Sequence, residues 1–262
     1  MAITTSPAFL PFATVALASA VLLLGAYTLY KLRHVHLLLY AARDQARLDC
    51  AALFRQMEAL QGLYIDLQLD KSLPGTRGWA ASPDFLLELA RHALTDRPNT
   101  IVECSSGTST LVLARCMQLN GGGKVYSLEH EPHYARQTRW QLQRHGLSDW
   151  ATVIDAPLRA QSFGTSPDGA AHVQPWYDVS GLPDVAIGML VIDGPPQSTA
   201  AQARYPAGPV LFGRLVHGAA VFLDDAARAD EQQCVQRWQH EFPELELNML
   251  QCEKGCARLR RR

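Results

Sequence analysis

The sequence predicts an α/β domain built on a mostly parallel, helix-covered sheet, set behind one membrane-spanning helix. From residue 83 to residue 242 short apolar runs alternate with amphipathic ones, which interleaves strands with helices on both faces of a single sheet. Five of the apolar runs end in an acid, at Glu103, Glu129, Asp155, Asp193 and Asp224. One acid after a strand is ordinary turn chemistry, whereas five in register on one rim form a polar site. Ahead of all this, Phe9 to Tyr30 carries no charged side chain across 22 residues.

The bulk properties agree with one such domain plus an extension. The chain has 262 residues and is 48% hydrophobic, enough for a sizeable core. Its 24 basic and 25 acidic residues nearly cancel, so there is no global field for nucleic acid, and no nucleic-acid partner is expected. The stretch Arg258–Arg262 holds four arginines in five residues; it reads as a solvated end, with contact to anionic lipid as the sharper alternative. The six cysteines include no Cys-x2-Cys pair and are read as reduced thiols.

Residues 1–30 are read as the anchor. An apolar run of this length matches the roughly 20 helical residues that cross a bilayer core. A cleaved signal peptide would want a basic start and a shorter apolar core, and the first eight residues contain no Lys or Arg. Lys31, Arg33, Arg43 and Arg47 follow the run and nothing basic precedes it, which places the C-terminal domain in the cytoplasm of a single-pass protein. Residues 31–71 form a juxtamembrane amphipathic helix with a seam at Ala46, Cys50, Leu53, Met57, Leu60, Tyr64 and Leu67. Two partners fit that seam, the domain's own surface and a second copy in a homodimer. Ser72-Leu73-Pro74-Gly75 ends the helix, and residues 72–262 make the domain.

Within the domain, Ser82-Pro83-Asp84 starts a helix. Strands follow at Thr100–Val102 and Lys124–Leu128, with a helix from about Thr108 to Leu119 between them. A helix from His133 to His145, closed by Gly146, leads to the strand Thr152–Ile154. Residues 157–183 are rich in Pro, Gly and Ser and read as an irregular insertion. Strands at Ala186–Ile192 and Ala219–Leu223, a helix from Arg228 to Phe242, and a terminal hairpin of Leu245–Leu250 with Ala257–Leu259 complete the order.

Val102 to Leu111, with its tight loop of small residues running into a helix, resembles the glycine-rich motif of class I S-adenosylmethionine-dependent methyltransferases. The resemblance runs from residue 100 to residue 228 and implies a Rossmann-like seven-stranded sheet with a terminal antiparallel hairpin. It also implies S-adenosylmethionine as cofactor, with Glu103, Ser105, Gly107 and Ser109 around the methionine moiety at a helix N-terminus. Ser105 and Ser109 stand where glycines are often found, leaving Gly107 alone. Glu129, 26 residues after Glu103, matches the acid that binds both ribose hydroxyls, with His130 beside the adenine. Asp155-Ala156 matches the pair next to the adenine amine.

The pattern is most similar to metal-dependent O-methyltransferases of the catechol and macrolide-sugar type. That resemblance implies Mg²⁺ held by Asp193, Asp224 and Asp225, with Asp193 in a catalytic role. The catechol enzyme's lysine base would fall at Pro196, so it is not carried over. His92, His145 and His217 precede strands and belong to the far rim, which leaves His133 after the second strand and His172 in the insertion; His172, near Trp176 and Tyr177, is the better base or substrate-pocket candidate. The expected acceptor is a membrane-associated small molecule, lipid-linked compound or glycan. The competing readings are a nicotinamide-dependent oxidoreductase, weakened by the missing GxGxxG, and a non-catalytic scaffold that binds the cofactor.

Overall fold

A computed structural model describes residues 9–165 and 171–262, with side chains described for 12–163 and 173–262. The chain divides into two units, Met1–Phe54 and Arg55–Arg262. One helix, α1 (Phe9–Asp66), covers the stretches read as anchor and juxtamembrane helix. No proline or glycine pair near Tyr30 interrupts the hydrogen-bond ladder. In the first unit every described side chain from Phe12 to Cys50 is exposed, and the helix is long and apolar enough to cross a membrane by length and composition.

In the second unit, the last turns of α1 bury Gln56, Ala59 and Leu63, and Leu67 is buried just past its end. Of the predicted seam, Leu67 is buried against the domain, while Leu53 and Met57 are exposed. The face is set by α2 (Pro83–Asp96), where the Gln56 amide donates to Asp84 Oδ2 at 2.7 Å and accepts from the Asp84 amide at 3.2 Å. Helix α2 starts after Ser82 with proline in its first turn and buries Phe85, Leu86, Leu89, Ala90 and Ala93, a single stripe at helical spacing.

The sheet has seven strands in the order β3-β2-β1-β6-β7-β9-β8. They are β1 (Thr100–Cys104), β2 (Lys124–Glu129), β3 (Ala151–Asp155), β6 (Ile187–Ile192), β7 (Leu215–Leu223), β8 (Leu245–Leu250) and β9 (Cys256–Arg261). All pairings through β7 are parallel, and β9 and β8 close the sheet as the expected antiparallel hairpin. Helices α3 (Thr108–Asn120), α4 (Pro132–Arg144) and α6 (Ala229–Glu241) fall within a few residues of their sequence positions, and a short α5 (Ala207–Leu211) precedes β7. Successive β1 residues feed opposite cores: Ile101 packs toward α2 and α3, and Val102 and Cys104 toward α6. Each such fully buried Leu, Ile or Phe stabilises the fold by about 1.5–3 kcal/mol.

The insertion is more regular than expected. Leu158–Thr165 (β4) and Ala171–Tyr177 (β5) form an antiparallel ribbon with Leu158 opposite Tyr177. The Pro, Gly and Ser that suggested an irregular loop are spread along the whole segment, strands included, while Phe163, Trp176 and Tyr177 anchor the ribbon in the core. All six cysteines are free thiols, as the sequence implied.

Candidate functional site

The chain crosses over between β1 and β6, with β2 on the other side of β1, so the sheet reverses its direction of growth there. Open α/β sheets bind ligands at such a point, beyond the carboxyl ends of the strands. Here a cavity of about 510 Å³ opens in that position, between the β1–α3 loop, Glu129, Asp193 and the segment Pro74–Ala81. Arg77 pairs with Glu253, and Lys254 Nζ donates to the Gly78 and Ala80 carbonyls at 3.0 and 3.2 Å, which ties that segment down as one wall. Trp79 stands on the wall 88% exposed.

Parallel register explains which residues meet. Cys104 pairs with Leu128 and Ile192, and these pair in turn with Ile154 and Leu223. The next residue of each strand therefore reaches the rim together: Ser105, Glu129, Asp155, Asp193 and Asp224. Glu103 lies two positions lower on its strand and does not belong to that row. It is fully buried beneath the loop, where its Oε2 accepts from Thr110 Oγ1 at 2.6 Å and Ser127 Oγ at 2.5 Å. Burial raises its pKa despite hydrogen bonds from Ser109, Ser127 and Thr110.

The loop itself is shaped by Glu129. Its Oε2 accepts from the Ser106 amide at 3.0 Å and the Ser106 hydroxyl at 2.8 Å, and its Oε1 from the Glu131 amide at 3.0 Å. Burial would raise the Glu129 pKa, but His130, the Glu131 amide and Ser106 outweigh it and hold the carboxyl below its ordinary value. Glu129 thus faces the cavity as a carboxylate. Ser105 adopts φ +106°, a left-handed conformation that glycine takes without strain, which accounts for the glycine usual at this place in the motif. Gly194 faces it: a Cβ there would overlap the Tyr177 hydroxyl and approach Ser105 Cβ to 3.1 Å.

At the other end, carboxylate oxygens of Asp193, Asp224 and Asp225 lie within 4.8 Å of one another. The convergence expected from sequence is therefore present. Between them, however, lies a guanidinium. Arg204, 4% exposed, donates from Nη2 to Asp225 Oδ2 at 2.7 Å and to the Asp193 carbonyl at 3.0 Å, and from Nη1 to the Asp224 carbonyl at 2.8 Å. Its Nη2 is also 3.4 Å from Asp193 Oδ1, and Arg228 Nη1 is 2.9 Å from the same Asp225 Oδ2.

Arg204 takes up Asp225 Oδ2 and approaches Asp193 Oδ1, while both Asp224 oxygens and Asp225 Oδ1 have no hydrogen-bond partner, so Mg²⁺, which takes carboxylate oxygens at about 2.0–2.1 Å, would compete with the guanidinium for two of the three acids. A dication about 4 Å from the guanidinium would be repelled by roughly 8 kcal/mol at an effective dielectric of about 20, a cost set against its attraction to the neighbouring carboxylates. The three expected metal ligands are thus together, with Arg204 set against two of them. Burial pushes the Asp193 pKa up to about 6, with Arg204 opposing the shift and Asp225 adding to it. Burial also pushes Asp224 up to about 8, with Asp193 and Asp225 adding to the shift, and neither of its carboxylate oxygens has a hydrogen-bond partner.

Of the residues singled out in the sequence, Ser105, Gly107, Ser109, Glu129, His130, Asp193 and Asp225 line the cavity. Glu103 does not, for the reason of register. Asp155 points outward to Arg139, 2.9 Å away, because β3 is the edge strand, and Ala156 is wholly buried behind Glu129, whose carbonyl accepts from its amide at 2.7 Å. His172 begins in β5, and its side chain lies outside the described residues.

Sequence reasoning missed three participants. Ser106 was read only as part of a small-residue loop. Tyr177, a neighbour of His172 in that reading, has a fully buried side chain whose hydroxyl has no partner, at the cavity wall. Arg204 carried one legible signal, a lone charge next to the apolar run Pro206–Leu211.

Residues 102–226 match the family described as Methyltransferase domain (Methyltransf_24). No curated protein matches the chain by sequence. Among solved structures, the Podospora anserina methyltransferase PaMTH1 with bound S-adenosylhomocysteine is similar at a TM-score of 0.53 and 14% identity, over 78% of this chain and 88% of that one. An O-methyltransferase from Bacillus cereus in complex with S-adenosylhomocysteine gives 0.52 and 17%, over 78% and 91%. The O-methyltransferase TomG of Streptomyces achromogenes, involved in tomaymycin synthesis and complexed with S-adenosylmethionine, gives 0.50 and 16%, over 79% and 89%. Residues 102–226 thus match a methyltransferase-domain family, and the chain that contains them has the Rossmann-like α/β fold of the methyltransferase structures it resembles.

Proposed function

We propose that this chain is an S-adenosylmethionine-dependent O-methyltransferase that acts on a hydroxyl of a membrane-associated small molecule, lipid-linked compound or glycan. The observation that carries the reading is the ionised, buried Glu129 at one end of a cavity whose other end is the Asp193 carboxyl. A volume of about 510 Å³ is within the range of small-molecule and cofactor sites. Glu129 supplies acceptors for two ribose hydroxyls. Ser106 yields to them readily, since its hydroxyl also lies 3.1 Å from Thr138 Oγ1 and can turn toward that partner. The α3 N-terminus and the small residues Ser105–Ser109 accommodate the methionine moiety.

S-adenosylmethionine, when bound, supplies an electrophilic methyl carbon on a sulfonium. The chain's part is to orient an acceptor oxygen in line with that carbon and to take its proton. Asp193, on the rim between Ser105 and Asp224, is the group we assign to proton removal, and no step is routed through a metal. The apolar first part of α1 is read as the membrane anchor, with the domain on the cytoplasmic side as the following basic residues imply. A position at the bilayer favours acceptors that partition there.

Calorimetric titration of the full chain in detergent with S-adenosylhomocysteine tests the cofactor. Comparison of lipid extracts from cells with and without the protein tests the acceptor by the mass of one added methylene. Asp193→Asn is expected to keep cofactor affinity and to lose roughly 10²–10⁴-fold in turnover. A dinucleotide bound in preference to S-adenosylhomocysteine refutes the assignment.

A further inference from the structure

We propose that Arg204 is the resident cation of this centre, a covalently tethered replacement for a divalent ion among Asp193, Asp224 and Asp225. The inference rests on the methyl-transfer reading for its consequence in turnover, but its charge logic does not depend on it. Three carboxylates with oxygens within 4.8 Å of one another need a compensating charge. Arg204 supplies it at hydrogen-bond range to Asp225 and draws Asp193 in through both its carbonyl and, at 3.4 Å, its carboxylate. Its Nε also lies 3.7 Å from Glu231 Oε1, extending the same compensation to a fourth buried acid.

The guanidinium is built in rather than borrowed from the surface. Arg204 is 4% exposed, and its neighbour in sequence is held on every side. The Tyr205 carbonyl accepts from Trp238 Nε1 at 2.9 Å, the Tyr205 hydroxyl bonds both Glu241 oxygens at 3.0 and 3.1 Å, and the Arg237 guanidinium stacks 3.4 Å from the Tyr205 ring. These contacts fix the backbone beside Arg204, and its own bonds to the Asp193 and Asp224 carbonyls and to the Asp225 carboxylate hold the guanidinium. Arg204 then acts through Asp193 and Asp225 as a positioning residue: it holds their carboxylates in place on the cavity wall and makes the centre indifferent to metal supply.

The test is a Mn²⁺ titration followed by electron paramagnetic resonance on the full chain in detergent, for wild type and Arg204→Ala. Wild type is expected to bind no Mn²⁺ at this centre, and turnover to be unchanged by excess chelator. Arg204→Ala releases the Asp225 and Asp193 carboxylates beside the unpartnered Asp224 carboxylate and is expected to acquire a Mn²⁺ site, tighter than any wild-type binding by roughly tenfold or more, that Asp225→Asn removes again. A folded Arg204→Ala chain that binds no Mn²⁺ overturns the proposal. Mn²⁺ bound by wild type and lost in Asp225→Asn overturns it as well, and that measurement decides the matter if Arg204→Ala fails to fold. Calorimetry with S-adenosylhomocysteine on the same wild-type sample reports separately on the methyltransferase reading.

Discussion

Replacing Glu129 separates a cofactor-binding carboxylate from one that merely braces a loop. Its two oxygens are already bonded by three protein donors, at 2.8 to 3.0 Å, and all three approach from the loop and the β2–α4 turn. In Glu129→Ala the ribose hydroxyls lose a charged acceptor, and charge-assisted hydrogen bonds are worth about 1.5–3 kcal/mol each. Part of that loss is returned by water entering the space, so a net cost near 2 kcal/mol is expected, which is roughly thirtyfold in affinity. Glu129→Gln keeps the shape but turns an amide NH₂ toward the Ser106 or the Glu131 amide, so one donor loses its partner and the affinity falls by an intermediate amount. Calorimetry with S-adenosylhomocysteine measures both, with thermal melting to show that each variant folds. Because Glu129 is held below the ordinary carboxylate range, affinity should be flat through neutral pH and fall only in acid. Binding by Glu129→Ala within about twofold of wild type refutes a ribose-binding role and leaves Glu129 as a loop brace.

Other consequences are open to the same treatment. With the Asp193 pKa pushed up to about 6, its proton-accepting form is in the minority below that pH, so turnover should rise as pH passes through 6; a rate flat from pH 5 to pH 8 removes Asp193 as the base. Ser105→Gly relieves a non-glycine residue at φ +106° and should stabilise the fold by about 1 kcal/mol while keeping cofactor affinity, and a lowered melting temperature contradicts it. Full-length protein should stay with membranes through a carbonate wash, whereas residues 55–262, which have their own core, should fold and bind S-adenosylhomocysteine without detergent. Recovery of the full chain in the soluble fraction excludes the anchor.

Alternating apolar and amphipathic runs, with Gly and Pro between them, were sufficient for the α/β class, the strand order along the chain and the helices at 83–96, 108–120 and 229–241. These features are local, decided by periodicity and capping within a dozen residues. The sequence was equally sufficient for the acids at the strand ends, because a strand's end is a local event. It was misleading wherever a depth or a partner mattered. Glu103 looks like Glu129 in a string of letters, yet it sits two residues below the rim, and only pairing with β2 and β6 sets that level. The ribbon Leu158–Tyr177 read as irregular because each of its strands is defined by the other. Which face of the last turns of α1 is buried is set by α2.

The acidic centre shows the division most clearly. Three aspartates at two neighbouring strand ends could be inferred from the sequence alone, and by themselves they imply a metal. Arg204 lies 11 residues beyond Asp193 and 21 before Asp225, in a stretch with no motif, and nothing in its letters says where the guanidinium goes. The packing of Tyr205 against Trp238 and Arg237 aims it at the carboxylates. Composition and spacing thus determined that negative charge would gather at this rim; the tertiary structure alone decided what neutralises it, because charge compensation depends on distances across the fold and not along the chain.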